Sequence, residues 1–280
     1  MKTIEYKNFD EERALYNICD TAVKNCTFAG PADGESALKE THRIKVDNCS
    51  FSLLYPLWHS TDFTLSNSTL DEMTRAPIWY AERGEISDCT INGIKCLREC
   101  DGIKIKNCTV ASPEFGWRCR NIEAESATFD SVYFFFESEN VRMKNITMKG
   151  KYSFQYTKEV EITDSELDTK DAFWHAKNVT VKNSTVKGEY LGWFSDGLTL
   201  INCKIIGTQP LCYCTNLTLI ACEMIDTDLS FERSEVEATL TAPIVSIKNP
   251  YHGRIRVPAC GELIKDDPNA LGEVIITGIQ

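Results

Sequence analysis

Hydrophobic and polar residues alternate along most of this chain in a pattern with a period of about 19 residues. The repeat is clearest at residues 176–194, AKNVTVKNSTVKGEYLGWF, and it returns at 138–156 and at 195–213. Within one repeat, apolar and often β-branched residues stand two positions apart, as Val179 and Val181 do. This spacing predicts a short strand with one face buried.

An Asn or Asp residue marks the same place in most repeats. Asn tolerates a left-handed backbone, so this column predicts a bend where side chains of successive repeats can bond one another. Further alternating apolar residues follow the bend, which predicts three short strands for each repeat. The marker positions, which keep a constant spacing, are Asp88, Asn107, Ser126, Asn145, Asp164, Asn183, Asn202 and Ala221.

A fixed period of this length indicates a solenoid. A leucine-rich repeat would need a helical segment, a hexapeptide helix would need a six-residue sub-period, and propeller blades are about 40 residues long. The pattern therefore favours an all-β, single-stranded, right-handed parallel β-helix, since crossovers between parallel strands are right-handed. We expect roughly eleven coils of about 19 residues, capped at both ends.

The unbroken repeat favours one domain over residues 1–280. We expect an N-terminal cap at 1–18, regular coils at 19–232, and a closing segment at 233–280, where prolines interrupt the repeat. Insertions lengthen two coils, by four residues at 31–34 and by two near 71–75, and we expect both to form loops. The chain begins without an apolar signal region and has no run of 18 apolar residues, so we expect no signal peptide and no membrane span.

Charge and cysteine content narrow the choice of partners and compartment. The net charge of −11 disfavours nucleic acid and anionic membranes. Nine of the 13 cysteines fall in inward columns, which favours core residues in a reduced, cytoplasmic protein over zinc ligands at Cys96/Cys100 or Cys212/Cys214. We therefore expect no metal and no cofactor. The nine are Cys26, Cys49, Cys89, Cys100, Cys108, Cys119, Cys203, Cys214 and Cys222.

Two adjacent columns, predicted to face outward or into a bend, carry the candidate chemistry, and they end at Phe231 and Glu232. The first contains all five tryptophans, and the second contains histidine, tyrosine, arginine and glutamate residues. A purely structural interpretation is open: Arg98 lies between Trp79 and Trp117 as a cation–π sandwich, and Glu99, Arg118 and Glu137 form an alternating ladder.

A saccharide groove is the functional interpretation, because exposed aromatic side chains beside polar groups suit sugar rings. Glu99 and Glu137 should lie about 9–10 Å apart, near the upper end of the range for inverting glycosidases, although Arg118 between them lowers both pKa values. The candidate binding residues are Trp117, Tyr156, Trp174, Trp193, Arg98 and His59. The candidate catalytic residues are His175, Asp171, Lys170, Glu189, Glu99, Arg118 and Glu137.

Several long strings resemble one bacterial family of unknown function, a family of pectin-lyase-like right-handed β-helix proteins. They include GESALKE (34–40), YPLWH (55–59), TKDAFWH (169–175) and GTQPLCYC (207–214). The resemblance covers nearly the whole chain and implies the fold, but it supplies no reaction and no catalytic residues. The G-H-G and R-x-K strings of the related polygalacturonases are absent from this sequence.

Two functions remain open from the sequence. The first is a carbohydrate-related protein, either a binder of a small saccharide or oligosaccharide or an enzyme of the glycoside hydrolase or polysaccharide lyase type. The second is a non-catalytic scaffold that uses the same columns for protein interaction or self-association. The oligomeric state is not indicated by the sequence.

Overall fold

The computed structural model describes residues 1–30 and 34–278. The chain is an all-β parallel β-solenoid of about 14 turns with about 19 residues per turn, which confirms the predicted fold class. It divides into two compact units, Met1–Arg142 and Met143–Gln280, which are described separately below. A single domain over the whole chain remains a prediction.

Unit 1 is built from parallel strands and one 3₁₀ turn at Glu72–Thr74. Its strands are β1 (Lys2–Glu5), β2 (Asn8–Phe9), β3 (Thr21–Lys24), β4 (Thr27–Phe28), β5 (Lys45–Asp47), β6 (Ser50–Phe51), β7 (Thr61–Ser66), β8 (Thr69–Leu70), β9 (Glu82–Ser87), β10 (Thr90–Ile91), β11 (Asp101–Lys106), β12 (Thr109–Ala111), β13 (Glu114–Phe115), β14 (Arg120–Glu125), β15 (Thr128–Ser131), β16 (Tyr133–Phe134) and the start of β17 (Glu139–Lys144).

Unit 2 repeats the arrangement of a longer strand, a bend and a shorter strand. After β17 its strands are β18 (Thr147–Gly150), β19 (Lys158–Thr163), β20 (Glu166–Asp168), β21 (Lys177–Lys182), β22 (Thr185–Lys187), β23 (Asp196–Ile201), β24 (Lys204–Ile206), β25 (Leu217–Ile225), β26 (Glu235–Leu240), β27 (Ile244–Lys248), β28 (His252–Val257), β29 (Cys260–Ile264) and β30 (Glu273–Ile276). Neighbouring strands pair in register one repeat apart, as Val160 pairs with Val179 and Val179 with Leu198.

The prediction of roughly eleven coils was too low, because the solenoid extends beyond the residues that keep the regular period. In unit 1, β1 pairs in parallel with β3 and β2 with β4, so the first residues form a further turn. In unit 2, β28 pairs with β26 and β30 pairs with β28, so the solenoid continues where prolines break the sequence period.

The third strand predicted for each repeat is mostly a turn. The buried apolar residues of that segment, such as Leu57 and Phe173, have φ angles of 61°. A left-handed backbone costs a bulky residue about 1–2 kcal/mol. Burying the whole side chain stabilises by about 1.5–3 kcal/mol and offsets that cost. Apolar spacing records which side chains point inward, and it does not distinguish a strand from such a turn.

The register confirms that two coils of unit 1 are longer than the regular repeat. Ala22 pairs with Lys45, which adds four residues to the usual separation, and Phe63 pairs with Gly84, which adds two. The two-residue insertion contains the 3₁₀ turn, where the Asp71 carboxylate accepts the backbone N–H of Met73. Residues 31–33 of the four-residue insertion lie outside the described residues.

The Asn column lies at the bend, as predicted. Asn183 and Asn202 have φ angles of 50° and 52°. The Asn202 amide donates to Asn183 Oδ1 at 3.0 Å, and the Asn183 amide donates to Asp164 Oδ1 at 3.2 Å. These side-chain bonds link three successive coils of unit 2.

The inward cysteine columns lie in the core. All thirteen cysteines are free and eleven are buried, with Cys19 exposed and Cys260 half-buried. Their thiols lie close to backbone carbonyls, as Cys214 Sγ does to Gly192 O at 3.1 Å. The cysteines therefore act as small apolar core residues with a weak hydrogen bond.

Candidate functional site

The two candidate columns occupy neighbouring positions of one turn, but they differ in burial. In unit 2 the residues of the second column have φ angles between 54° and 60°, and His175 and Phe194 are exposed. The preceding residues, such as Trp174 and Trp193, are half-buried. The left-handed turn therefore directs the second side chain towards solvent and lays the first one against the coil.

All five tryptophans bond to a neighbouring coil of their own unit through the indole N–H. Of the two predicted environments, outward or in a bend, the bend describes this column better, since each indole is half-buried and its polar atom is already used. The bonds run from Trp58 to Ala76 O (2.7 Å), Trp79 to Lys95 O (2.6 Å), Trp117 to Tyr133 O (3.2 Å), Trp174 to Tyr190 O (2.7 Å) and Trp193 to Gln209 O (2.8 Å).

Unit 1 contains the predicted cation–π sandwich. The Arg98 guanidinium lies 4.6 Å from the Trp79 ring centroid and 4.7 Å from that of Trp117. Its Nη2 also donates to Glu114 Oε2 at 2.8 Å. Because these contacts use both faces and an edge of the guanidinium, Arg98 acts as a structural cation.

The second column of unit 1 is largely ionic, and we name His59, Tyr80, Glu99, Arg118 and Glu137 the charged row. Arg118 Nε lies 2.7 Å from Glu137 Oε2, and this hydrogen bond raises the pKa of Arg118. In residues 1–30 and 34–278 no ion pair of Glu99 is found within 4.0 Å. His59 stacks on Tyr80 at 4.8 Å. Within the charged row, the side chains of Arg118 and Glu137 therefore neutralise each other.

The second column of unit 2 consists of rings, and we name Tyr156, His175, Phe194 and Tyr213 the ring ladder. Successive ring centroids lie 4.9, 5.0 and 5.0 Å apart, with interplanar angles of 13°, 8° and 13°. Tyr156 is 48% exposed and Phe194 is 44% exposed, whereas Tyr213 is half-buried. Because neighbouring rings cover one another's faces, the surface of the ladder consists mainly of ring edges.

Charged residues accompany the ring ladder. Lys170 Nζ lies 2.7 Å from Glu189 Oε2 and 5.4 Å from the Tyr190 ring centroid. Asp171 is only 7% exposed, and burial raises the pKa of its carboxyl, partly countered by Lys170.

The predicted catalytic residues of unit 2 make different contacts, and Asp171 lies close enough to Lys170 and Glu189 for their charges to act on its pKa. His175 contacts the rings of Tyr156 and Phe194, and within the described residues its imidazole forms no hydrogen bond or ion pair. Lys170 and Glu189 are paired with each other. The arrangement therefore offers a surface of ring edges, and Lys170 and Glu189 form an ion pair in the same unit.

Phe231 and Glu232 each lie one position earlier in their coil than the regular repeat predicts. Phe231 is fully buried with a φ angle of 66°, and it occupies the place that Leu211 holds one coil earlier. Arg233, with a φ angle of 53°, therefore follows Tyr213 in the second column. One extra residue in this coil causes the shift, and the signal is that the apolar position of Leu211 recurs at Phe231, one place later than the regular repeat predicts.

A polar cleft follows the ring ladder in unit 2 and was not predicted. It has a volume of about 620 Å³. Its wall includes Glu232, Arg233, Lys248, Asn249, Tyr251, Asp266 and Asp267.

Among residues 1–30 and 34–278, no three His, Cys, Asp or Glu side chains are grouped to hold a metal ion. In the same parts of the chain no helix is long and apolar enough to cross a membrane.

Known proteins resemble this chain in sequence, through one family, and in structure, through several solved proteins. The family described as "Protein of unknown function (DUF3737)" matches residues 2–276. No curated protein sequence matches the chain.

Solved structures resemble it over most of its length at low identity. The A-module of the Azotobacter vinelandii mannuronan C-5 epimerase AlgE6 is 9% identical, with a TM-score of 0.37 over 99% of this chain and 89% of that one. The E. coli bacteriophage HK620 tailspike, solved with a hexasaccharide, is 11% identical, with a TM-score of 0.40 over 98% and 67%. The Streptococcus pneumoniae surface adhesin PfbA is 11% identical, with a TM-score of 0.37 over 91% and 71%. At these values the likenesses support no conclusion about activity.

Proposed function

We propose that this chain, which belongs to the DUF3737 family of proteins of unknown function, binds a neutral saccharide along the ring ladder. The observation that carries the proposal is the row of four rings in unit 2, stacked at 4.9–5.0 Å, of which Tyr156, His175 and Phe194 are exposed. A protein surface that keeps large rings in contact with water at successive positions is suited to a partner.

The ring edges select the chemistry of that partner. The edge of an aromatic ring is the positive part of its quadrupole, and the faces, which are negative, are covered within the ladder. Tyrosine hydroxyls and the imidazole add hydrogen-bond donors along the same line. Such a surface suits an oxygen-rich molecule held through its hydroxyl oxygens, rather than a sugar ring stacked on an aromatic face.

The surrounding charges favour a neutral ligand over a polyanion. The chain has a net charge of −11, and Lys170, a cation of the coil that carries His175, is already paired with Glu189. The same pairing raises the pKa of Lys170, so this lysine does not suit a general base, which supports binding rather than turnover. Saccharide hydrolysis therefore has less support here than saccharide binding.

The test is a binding measurement with the full chain and tetrasaccharides of neutral hexoses and N-acetylhexosamines. Phe194→Ser removes an exposed ring and should weaken binding about tenfold, the effect of losing about 1.4 kcal/mol of contact. Tyr80→Ser removes one ring of the stacked pair that His59 and Tyr80 form in unit 1. It is the matched control and should leave the affinity for the saccharide unchanged. Binding that is indifferent to Phe194→Ser, or no binding of any tetrasaccharide, would refute the proposal.

A scaffold is the second candidate, favoured by the indole N–H bonds that tie each tryptophan to the next coil. In that case the ring ladder is an association surface for a second copy of the chain. Sedimentation velocity over a range of concentrations would then show self-association that Phe194→Ser abolishes, together with no binding of saccharides.

A further inference from the structure

The polar cleft of unit 2 begins where the ring ladder ends. Tyr213 is the last ring, and Arg233 takes the next position of the same column. Burial and Glu232 raise the pKa of Tyr213, while Arg233 and Lys248 are close enough to lower it in part. The last ring and the cleft wall therefore form one continuous surface within unit 2.

The charged groups of the cleft wall are paired before any ligand arrives. Lys248 Nζ lies 3.1 Å from Glu232 Oε1, and Arg233 Nε lies 3.3 Å from Asp267 Oδ2. The Tyr251 hydroxyl donates to the same Asp267 oxygen at 3.1 Å. The cleft thus presents donors and acceptors side by side rather than a cluster of like charges.

A buried asparagine holds the far side of the cleft in place. Asn249 is only 3% exposed, and its amide donates to Asp266 Oδ1 at 2.6 Å. Its Oδ1 accepts the backbone N–H groups of Asp266 (3.0 Å) and Asp267 (3.2 Å). These three bonds fix the Asp266–Asp267 turn, so the cleft is largely preformed.

We propose that this cleft binds the terminal unit of the neutral saccharide whose remaining units lie along the ring ladder, an inference that rests on the proposed function. Its volume of about 620 Å³ lies within the range of small-molecule sites, about 300–1,000 Å³. The carboxylates of the cleft wall disfavour an anionic ligand, and the side chains of Arg233 and Lys248 disfavour a cationic one. A hydroxyl-rich neutral sugar matches a wall of alternating donors and acceptors.

The experiment compares monosaccharides with tetrasaccharides of the same sugar, using isothermal titration and saturation-transfer NMR on the full chain. The probes are glucose, galactose, mannose and N-acetylglucosamine. Two conservative cleft variants are used, Lys248→Gln and Asp266→Asn, so that a folding defect in one does not decide the result. Phe194→Ser serves as the ladder variant.

We expect a monosaccharide to bind weakly and to lose about tenfold in affinity in both cleft variants, while Phe194→Ser leaves its affinity unchanged. The tetrasaccharide should be weakened by both kinds of variant. If the tetrasaccharide depends on Phe194 and neither cleft variant alters its affinity, the cleft is not a subsite although the ladder binds sugar. If the monosaccharide depends on the cleft and the tetrasaccharide binds no better, the ladder proposal is wrong, and the cleft is a site for a single sugar unit rather than the end of a longer one. If none of these sugars binds, both proposals fall.

Discussion

In unit 1 the second column passes from the stacked rings of His59 and Tyr80 to Glu99, Arg118 and Glu137. In unit 2 the same column carries four stacked rings, from Tyr156 to Tyr213. Identical positions of successive coils lie about 4.8 Å apart, so each side chain meets its own counterpart. Rings can stack on rings at that distance, whereas like charges repel by roughly 3.5 kcal/mol at an effective dielectric constant near 20.

This contrast shows that the residues of one solenoid column constrain one another, because each contacts its counterpart in the next coil. A charged column is stable only when its signs alternate, and the pairing then leaves few groups for a ligand. A column of rings is stable without pairing and leaves ring edges in solvent. The ring ladder therefore offers a binding surface that the charged row does not.

The indole column is the feature that both units share, and its loss should have the largest effect. Trp174→Ala removes a half-buried ring stacked 5.5 Å from Trp193 and its bond to Tyr190 O. We expect a loss of about 2–4 kcal/mol in the free energy of unfolding, measured by urea denaturation. Trp174→Phe, which keeps a ring and loses the N–H, should cost about 1 kcal/mol. A loss below about 0.5 kcal/mol for Trp174→Ala, the range of ordinary surface substitutions, would mean that the indoles are not structural.

Loss of the cation–π sandwich of unit 1 should have the second-largest effect on stability. Arg98→Leu removes two ring contacts and leaves Glu114 with only the longer pair to Lys95 at 3.4 Å. We expect the free energy of unfolding to fall by about 1–2 kcal/mol. Arg118→Leu, in the exposed charged row, is the control and should produce no measurable change. Equal losses for the two variants would remove the distinction between the half-buried and exposed columns.

The interrupted Asn column of unit 2 offers a stabilising change. Ala221 has a φ angle of 53°, a conformation that Asn adopts at lower cost, and it follows Asn202 in the column. We expect Ala221→Asn to raise the free energy of unfolding by about 0.5–1 kcal/mol, through lower backbone strain and one added hydrogen bond from the side-chain amide. Asn202→Ala should have the opposite effect. Destabilisation by Ala221→Asn would show that the column does not continue through this coil.

The smallest expected effect concerns how the stability of the fold depends on pH. Two carboxyl groups should contribute to it with opposite signs. In unit 1, hydrogen bonds from Arg83 lower the pKa of Asp62, so its stabilisation is present above pH 3.8 and is lost as the pH falls through the lowered value. In unit 2, burial raises the pKa of Asp171, so ionisation destabilises the fold as the pH rises above 3.8 and through the raised value.

Asp171→Asn should therefore raise the melting temperature at pH 7 and leave it nearly unchanged at pH 3. Asp62→Asn should lower the melting temperature at pH 7, with a smaller effect at pH 3. Thermal melts at the two pH values measure both changes. A lower melting temperature for Asp171→Asn at pH 7 would show that the ionised carboxylate is stabilised in the fold.

Much of the architecture was predictable from the spacing of residues alone. The alternation at Val179 and Val181 predicts a strand, the regular period predicts a solenoid, and the Asn column predicts the bend. Each inference depends on a side chain's environment repeating with the chain, which a solenoid enforces because every coil packs on copies of itself. The cation–π sandwich of Arg98 was predictable for the same reason, since its two neighbours are known once the period is known.

Other features depend on backbone angles and on contacts that spacing does not record. Phe173 has the inward position expected for a strand residue, but its φ angle of 61° belongs to a turn. Trp174 falls in a column predicted to face outward or into a bend, and spacing alone does not reveal that its N–H bonds to the Tyr190 carbonyl of the next coil. The covered faces of the ring ladder, the extra residue before Arg233 and the polar cleft likewise arise only when the coils are stacked. Periodicity specifies which residues become neighbours, whereas ring orientation, hydrogen-bond partners and local register are set by the packing of those neighbours in three dimensions.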